Sequence, residues 1–204
     1  MKELLSSVPV VPVIVIDQLQ DAVPLAKALV AGGLRVLEVT LRTPVAVDAI
    51  AAMVEHVPGA VVGSGTVCNA EQIEQSIAAG CQFMVSPGAT DALLDAAAKA
   101  SIPLLPGVAS ASELMRCRER GYDVVKFFPA EASGGAPALK AIAGPFADMR
   151  FCPTGGIGPA NVMEYLNLKN VLCVGGSWIC PSDLVAAKQW DKITELAAAA
   201  AALR

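Results

Sequence analysis

The sequence predicts an α/β fold: a single (β/α)8 TIM barrel over residues 1–204, preceded by a short N-terminal helix. Three observations predict it. Eight short apolar runs alternate with helix-like stretches, which points to an all-parallel sheet. The hydrophobic share is 54% and the charged share 17%, the balance expected when strands are covered on both faces. Eight strand–helix units in 204 residues lie at the lower end for a closed barrel. An open doubly wound sheet would have fewer strands, and no G-x-G-x-x-G follows the first run.

The elements follow in order. Residues 2–7 read as a helical lead. Strand-like runs occupy 11–16, 36–41, 60–65, 83–86, 103–106, 124–128, 150–153 and 171–174, where Val and Ile are common. DAVPLAKALVAGG is helical and stops at Gly32-Gly33. MVEHVPG ends the second helix, where the single histidine, His56, suits the negative end of the helix dipole. NAEQIEQSIAAGC starts at the cap Asn69, with Gln72 three residues on. Thr90, and Ser110 with Glu113, read as capping-box starts. PALKAIAG and PANVMEYLNL follow the sixth and seventh runs. One Ala-rich helix covers 182–202.

Composition excludes several classes. A net charge of -4 and an aromatic share of 4% argue against a nucleic-acid partner. Six cysteines form no C-x-x-C pair, and one histidine cannot complete a zinc site, so neither metal nor redox pair is expected. They read as small reduced core residues of a cytoplasmic protein. The apolar start, MKELLSSVPVVPVIVI, is broken by prolines and lacks a cleavage site, so it is not read as a signal peptide. No run is long enough to span a membrane. The excess of apolar residues favours self-association.

In such barrels the chemistry sits at the C-terminal ends of the strands. Lys126 lies in DVVKFFPA, in an otherwise apolar run. One reading is a buried ion pair or a lysine reaching water. The other is a nucleophile, because burial makes an ammonium costly and frees the lone pair for attack on a carbonyl. In RVLEVTLRT, Glu38, Thr40 and Arg42 share one parity and so one face. They are either a structural ion pair filling the barrel or working groups. As working groups, Arg42 grips a carboxylate through two hydrogen bonds and Glu38 moves protons.

Two Gly pairs, in PTGGIGPAN and GGSW, follow the seventh and eighth runs. They are plain turns or, in the loops where these barrels often hold phosphate, an anion cradle. Thr66 in SGT and Pro87 in SPG end the third and fourth runs, and are weaker signals.

VTLRT, VKFFPAE, FCPTGGI and GGSW, in this order, resemble the 2-dehydro-3-deoxy-6-phosphogluconate (KDPG) aldolases of the Entner–Doudoroff pathway. The likeness runs from VVPVIVI to GGSW. It implies a class I aldolase that needs no metal or cofactor and assembles as a homotrimer. Its implied substrate is a phosphorylated keto-deoxy sugar acid, cleaved to pyruvate and a triose phosphate, with 4-hydroxy-2-oxoglutarate also accepted. By position, Lys126 is then the Schiff-base lysine, Glu38 the proton acceptor and donor, and Arg42 the carboxylate clamp. Thr66 and Pro87 line the same end, Phe128 packs beside the imine, and Thr154 meets the sugar-acid part. Gly155, Gly156, Gly175, Gly176 and Ser177 form the phosphate end. Ser64 stands where many relatives have Ala. An aldol cleavage needs a metal or an imine as electron sink, and with one histidine the imine remains. Three other readings stay open: the galactonate epimer as substrate, an unphosphorylated keto acid as substrate, and a non-catalytic phosphate-binding barrel.

Overall fold

Nine buried segments form strands: β1 (Val10–Ile14), β2 (Val36–Thr40), β3 (Val61–Gly65), β4 (Phe83–Val85), β5 (Leu104–Leu105), β6 (Gly107–Val108), β7 (Val124–Phe127), β8 (Arg150–Pro153) and β9 (Val174–Gly176). The computed structural model describes residues 1–203. Its strands lie in two curled parallel sheets, ordered β5-β4-β3-β2-β1-β9 and β6-β7-β8. Isolated parallel bridges, Phe151 to Val171 and Thr154 to Gly175, link the last two strand regions.

Helices follow the strands: α1 (Lys2–Ser6), α2 (Ala22–Ala31), α3 (Ala46–His56), α4 (Ala70–Ala78), α5 (Asp91–Ala97), α6 (Ala111–Glu119), α7 (Gly135–Ile142), α8 (Val162–Leu166), α9 (Ser182–Ala186) and α10 (Trp190–Ala201). Asn69 caps α4 by accepting from the Gln72 amide, and Ser110 with Glu113 makes a full capping box on α6. Thr90 caps α5 alone. The residue three on is Leu93, which has no acceptor to complete the box.

Alternation of side chains divides the core in two. One parity, with Ile14, Leu37, Val39, Met84 and Val125, packs against the helices. The other, with Val11, Val36, Phe83, Val85, Leu105, Val124, Cys152 and Cys173, forms a separate inner cluster. Leu5 of α1 and Val8 join that inner cluster. The N-terminal helix therefore packs against the inner faces of the strands.

Three expected elements differ. The fifth run, 103–106, holds β5 alone; the strand resumes beyond it as β6, after Pro106, which has no N–H for the ladder. The eighth strand is Val174–Gly176, not 171–174; it is placed by pairing of Val174, Gly175 and Gly176 with β1. The single C-terminal helix is two, α9 and α10, parted near Lys188, whose φ of 54° lies in the left-handed region.

Candidate active site

Every strand pairing is parallel, so the C-terminal strand ends gather at one end of the sheets. Lys126, third of four residues in β7, is in register with Gly107 on one side and Cys152 on the other. Its parity turns it away from the helices, with Val124 of the inner cluster. Its side chain is 7% exposed and that of Glu38 5%. Nζ donates to Glu38 Oε1 at 3.1 Å. Moving that proton from Nζ to Oε1 would remove two buried charges at once and leave a nucleophilic amine. The Phe128 ring lies beside it, with its centroid 5.2 Å from Nζ.

Glu38 holds its position because β3 leaves room for it. A Cβ built on Gly65 would lie 2.4 Å from Glu38 Oε1, so any side chain there would evict the carboxylate. Thr40 and Thr43 donate to the Ile14 and Ile16 carbonyls at 3.0 and 2.6 Å, tying the end of β2 and its loop to β1.

Arg42 is not part of the strand. β2 ends at Thr40, and Arg42 lies in the following turn, exposed and without a hydrogen bond or ion pair to any described residue. The expected alternation of Glu38, Thr40 and Arg42 on one face thus stops at Thr40. Glu38 pairs with Lys126, not with Arg42.

Thr66 follows β3 with φ 63°, a left-handed backbone that costs a β-branched residue about 1–3 kcal/mol. Such a cost persists where the surroundings fix the conformation. Pro87 follows β4, and its carbonyl passes so close to Gly107 that a Cβ there would lie 2.4 Å away. Thr154 follows β8, is buried, and its hydroxyl has no partner among the described residues. It abuts Gly175, where a Cβ would lie 2.2 Å from Oγ1. Gly155, Gly156, Gly175, Gly176 and Ser177 all lie at this end of β8 and β9. Each of the twelve positions singled out in the sequence thus lies at or beyond the middle of a strand or in the loop that follows one, and contacts join Lys126 to Glu38 and Phe128, and Thr154 to Gly175.

Cavity size alone misleads. A cavity of about 550 Å³ lies at the opposite, N-terminal strand ends, lined by Met1, Ile102, Pro103, Tyr122 and Asp123 among others. On the C-terminal side, a cleft of about 430 Å³ runs between Val13, Asp17 and Asp21 and the Ser177–Ser182 segment.

The sequence reading missed one cluster. The Tyr165 hydroxyl on α8 donates to Glu131 Oε1. Burial first, and then the Glu131 carboxylate, hold that phenol well above its ordinary range, so it stays a donor. The only hint in the sequence is an acidic residue closing VKFFPAE.

The family described as "Aldolase: KDPG and KHG aldolase" matches residues 1–196. A 2-dehydro-3-deoxy-phosphogluconate aldolase of Pseudoalteromonas atlantica is 59% identical over 201 residues, covering 98% of this chain and 94% of that protein. A KHG/KDPG aldolase of Escherichia coli is 58% identical over 196 residues, covering 96% and 92%. The crystal structure of KDPG aldolase from Legionella pneumophila, with pyruvate captured as a covalent carbinolamine, superposes with a TM-score of 0.97. That protein is 52% identical, with 98% of each chain covered.

Proposed function

This chain belongs to the KDPG and KHG aldolase family, and from that premise we propose that it cleaves 2-dehydro-3-deoxy-6-phosphogluconate to pyruvate and glyceraldehyde 3-phosphate through an imine on Lys126. The observation that carries the residue assignment is the buried pair, Lys126 Nζ 3.1 Å from Glu38 Oε1, at the C-terminal strand ends.

Lys126, its proton passed to Glu38, adds to the C2 ketone and gives a carbinolamine. Glu38 returns a proton to the C2 oxygen, which leaves as water and gives the iminium. The C4 hydroxyl then gives its proton to Glu38, directly or through a water. The C3–C4 bond breaks, and its electron pair moves into the iminium. Glyceraldehyde 3-phosphate departs and an enamine remains. Glu38 protonates its C3 carbon, and water hydrolyses the iminium to pyruvate and free Lys126. No net proton or electron is consumed beyond substrate and products.

The other residues divide by position. Arg42, unpaired among the described residues and in the turn after β2, clamps the pyruvate carboxylate. Thr66 and Pro87 line that end. Phe128 walls the imine. Thr154 gives its unpartnered hydroxyl to the sugar-acid part, which supports the gluconate epimer. Gly155, Gly156, Gly175, Gly176 and Ser177 take the phosphate. The same imine also serves 4-hydroxy-2-oxoglutarate, giving pyruvate and glyoxylate; the Escherichia coli relative's name supports this second substrate.

The two sheets are read as arcs of one closed (β/α)8 barrel, a single domain over 1–204. Its supports are the bridge from Thr154 to Gly175 and the one-residue gap between β5 and β6. A homotrimer rests on the family resemblance and on exposed apolar side chains such as Val54 and Ile77. A cytoplasmic setting rests on cysteine usage: the six show no C-x-x-C spacing, and Cys81, Cys117 and Cys180 lie outside any disulfide.

Borohydride reduction in the presence of pyruvate tests the nucleophile. The expected product is one pyruvate-derived mass on Lys126, found by peptide mass spectrometry. An intact fold with unmodified Lys126 would instead support the non-catalytic barrel.

A further inference from the structure

We propose that Glu131 and Tyr165 are positioning residues, a clasp that fixes the Gly155–Gly156 loop and gives the enzyme its grip on phosphorylated substrates. The proposal rests on the reading that this loop takes the phosphate.

The observations converge on five residues of chain. Gly156 has φ 77°, and a Cβ built on it would lie 2.6 Å from Glu131 Cγ, so the loop backbone rests directly on the Glu131 side chain. The Glu131 amide donates to the Gly155 carbonyl at 3.1 Å, and the Ala130 amide donates to the Thr154 carbonyl at 2.8 Å. On the far side, Asn161 Nδ2 donates to the Gly156 carbonyl at 3.1 Å, while Asn161 Oδ1 accepts from the Gly158 amide at 2.8 Å. Glu131 is exposed and would otherwise sample many rotamers. The hydroxyl of Tyr165, which is fully buried on α8, picks one of them.

The consequence is chemical. The Gly155 carbonyl accepts from the Glu131 amide and the Gly156 carbonyl from Asn161 Nδ2, while the Glu131 side chain that Tyr165 holds is the surface on which Gly156 packs. Both carbonyls are therefore turned away from the site, and an anion meets amide N–H groups and not carbonyl oxygens. A glycine pair without such bracing would sample orientations that present oxygens to the phosphate. The ordering cost would then be met at each binding event. The clasp touches neither the imine nor the carboxylate clamp, so it acts on one end of the substrate only.

The test uses Tyr165→Phe, which removes one oxygen, and Glu131→Gln, which keeps volume at an exposed site and guards against a folding failure in the first. KM and kcat are measured for 2-dehydro-3-deoxy-6-phosphogluconate and for 4-hydroxy-2-oxoglutarate, with inorganic phosphate as competitor. In Tyr165→Phe, the KM for the phosphorylated substrate and the phosphate inhibition constant should rise together by about tenfold relative to the unphosphorylated substrate. Glu131→Gln should move the same way by less, because its amide oxygen still accepts from Tyr165. Equal losses on both substrates, or no change in KM, overturn the clasp. If phosphate fails to compete even in the wild type, the phosphate reading itself fails and takes the clasp with it. Competition that is strong and identical in all three proteins overturns the clasp alone.

Discussion

The two ends of the same strands differ in chemistry. At the N-terminal ends the inner face carries Val36, Phe83, Val124, Cys152 and Cys173, closed over by Leu5 and Val8. Two residues on from Val36, Val124, Cys152 and Cys173, the same parity presents Glu38, Lys126, Thr154 and Gly175, while β4 stays apolar from Phe83 to Val85. A step of two residues keeps the face and changes only the depth. One periodicity thus builds a dry floor and a polar site above it. The floor lets the Lys126–Glu38 pair stay out of water, and the polar layer does nothing for the hydrophobic core. The difference teaches that stability and chemistry are stacked along the strand axis and are separable by mutation.

The largest expected effect is at the polar end. Lys126→Ala should lower kcat/KM by about 10⁴-fold or more, since among the described residues no other lysine is paired with Glu38. Water can enter the space left by the lysine and reach Glu38, so the fold should persist by far-UV circular dichroism. Residual turnover near the wild-type rate would break the comparison at its upper half.

Next comes the floor. Leu5 is buried at 1% exposure against the inner cluster. Leu5→Ala should cost about 2–4 kcal/mol in urea unfolding. With the site a layer away, kcat/KM at a temperature where the variant is folded should stay within about twofold. A large loss of kcat with unchanged stability would show that the two layers are not separable.

The polar layer was legible in part. Alternation put Glu38 on one face with Thr40 and Arg42, and Lys126 stood out as a charge in an apolar run, but neither observation gave depth along the strand. Their meeting at one site was implied by the resemblance and not by alternation, because 88 residues separate them and alternation names a face, not a partner. It suggested Arg42 as the companion of Glu38, and the end of β2 at Thr40 removes that choice. The eighth strand was misplaced for a related reason. Val171 and Leu172 look more strand-like than Gly175 and Gly176, but pairing with Val11 and Pro12 outweighs propensity. The Glu131–Tyr165 clasp joins a short turn to a helix 34 residues on, and no local pattern announces it. The caps were legible where they are local, at Asn69 and Ser110, and over-read at Thr90, where Leu93 breaks the box.

The smallest effect sharpens the lower half of the comparison. Cys81 lies just before β4, at the N-terminal end, and burial raises its thiol from 9.0 to about 11. Below pH 9 the thiol is protonated in both folded and unfolded chains, and its stabilising contribution is complete. Between pH 9 and about 11 the unfolded chain releases that proton and the folded chain keeps it. The unfolded state then binds fewer protons, so stability falls as pH rises. The slope reaches about 1.4 kcal/mol per pH unit, or about 2–3 kcal/mol across the window. Cys117 and Cys180, raised to about 11 and about 12 mainly by burial, add slopes of the same sign. Cys81→Ala should therefore flatten the alkaline fall by one thiol's share and leave the rest. Urea unfolding at pH 8.5, 9.5 and 10.5 measures it. Parallel curves for the variant and the wild type would mean that water reaches Cys81, and that the helix-facing core is not dry at the N-terminal strand ends.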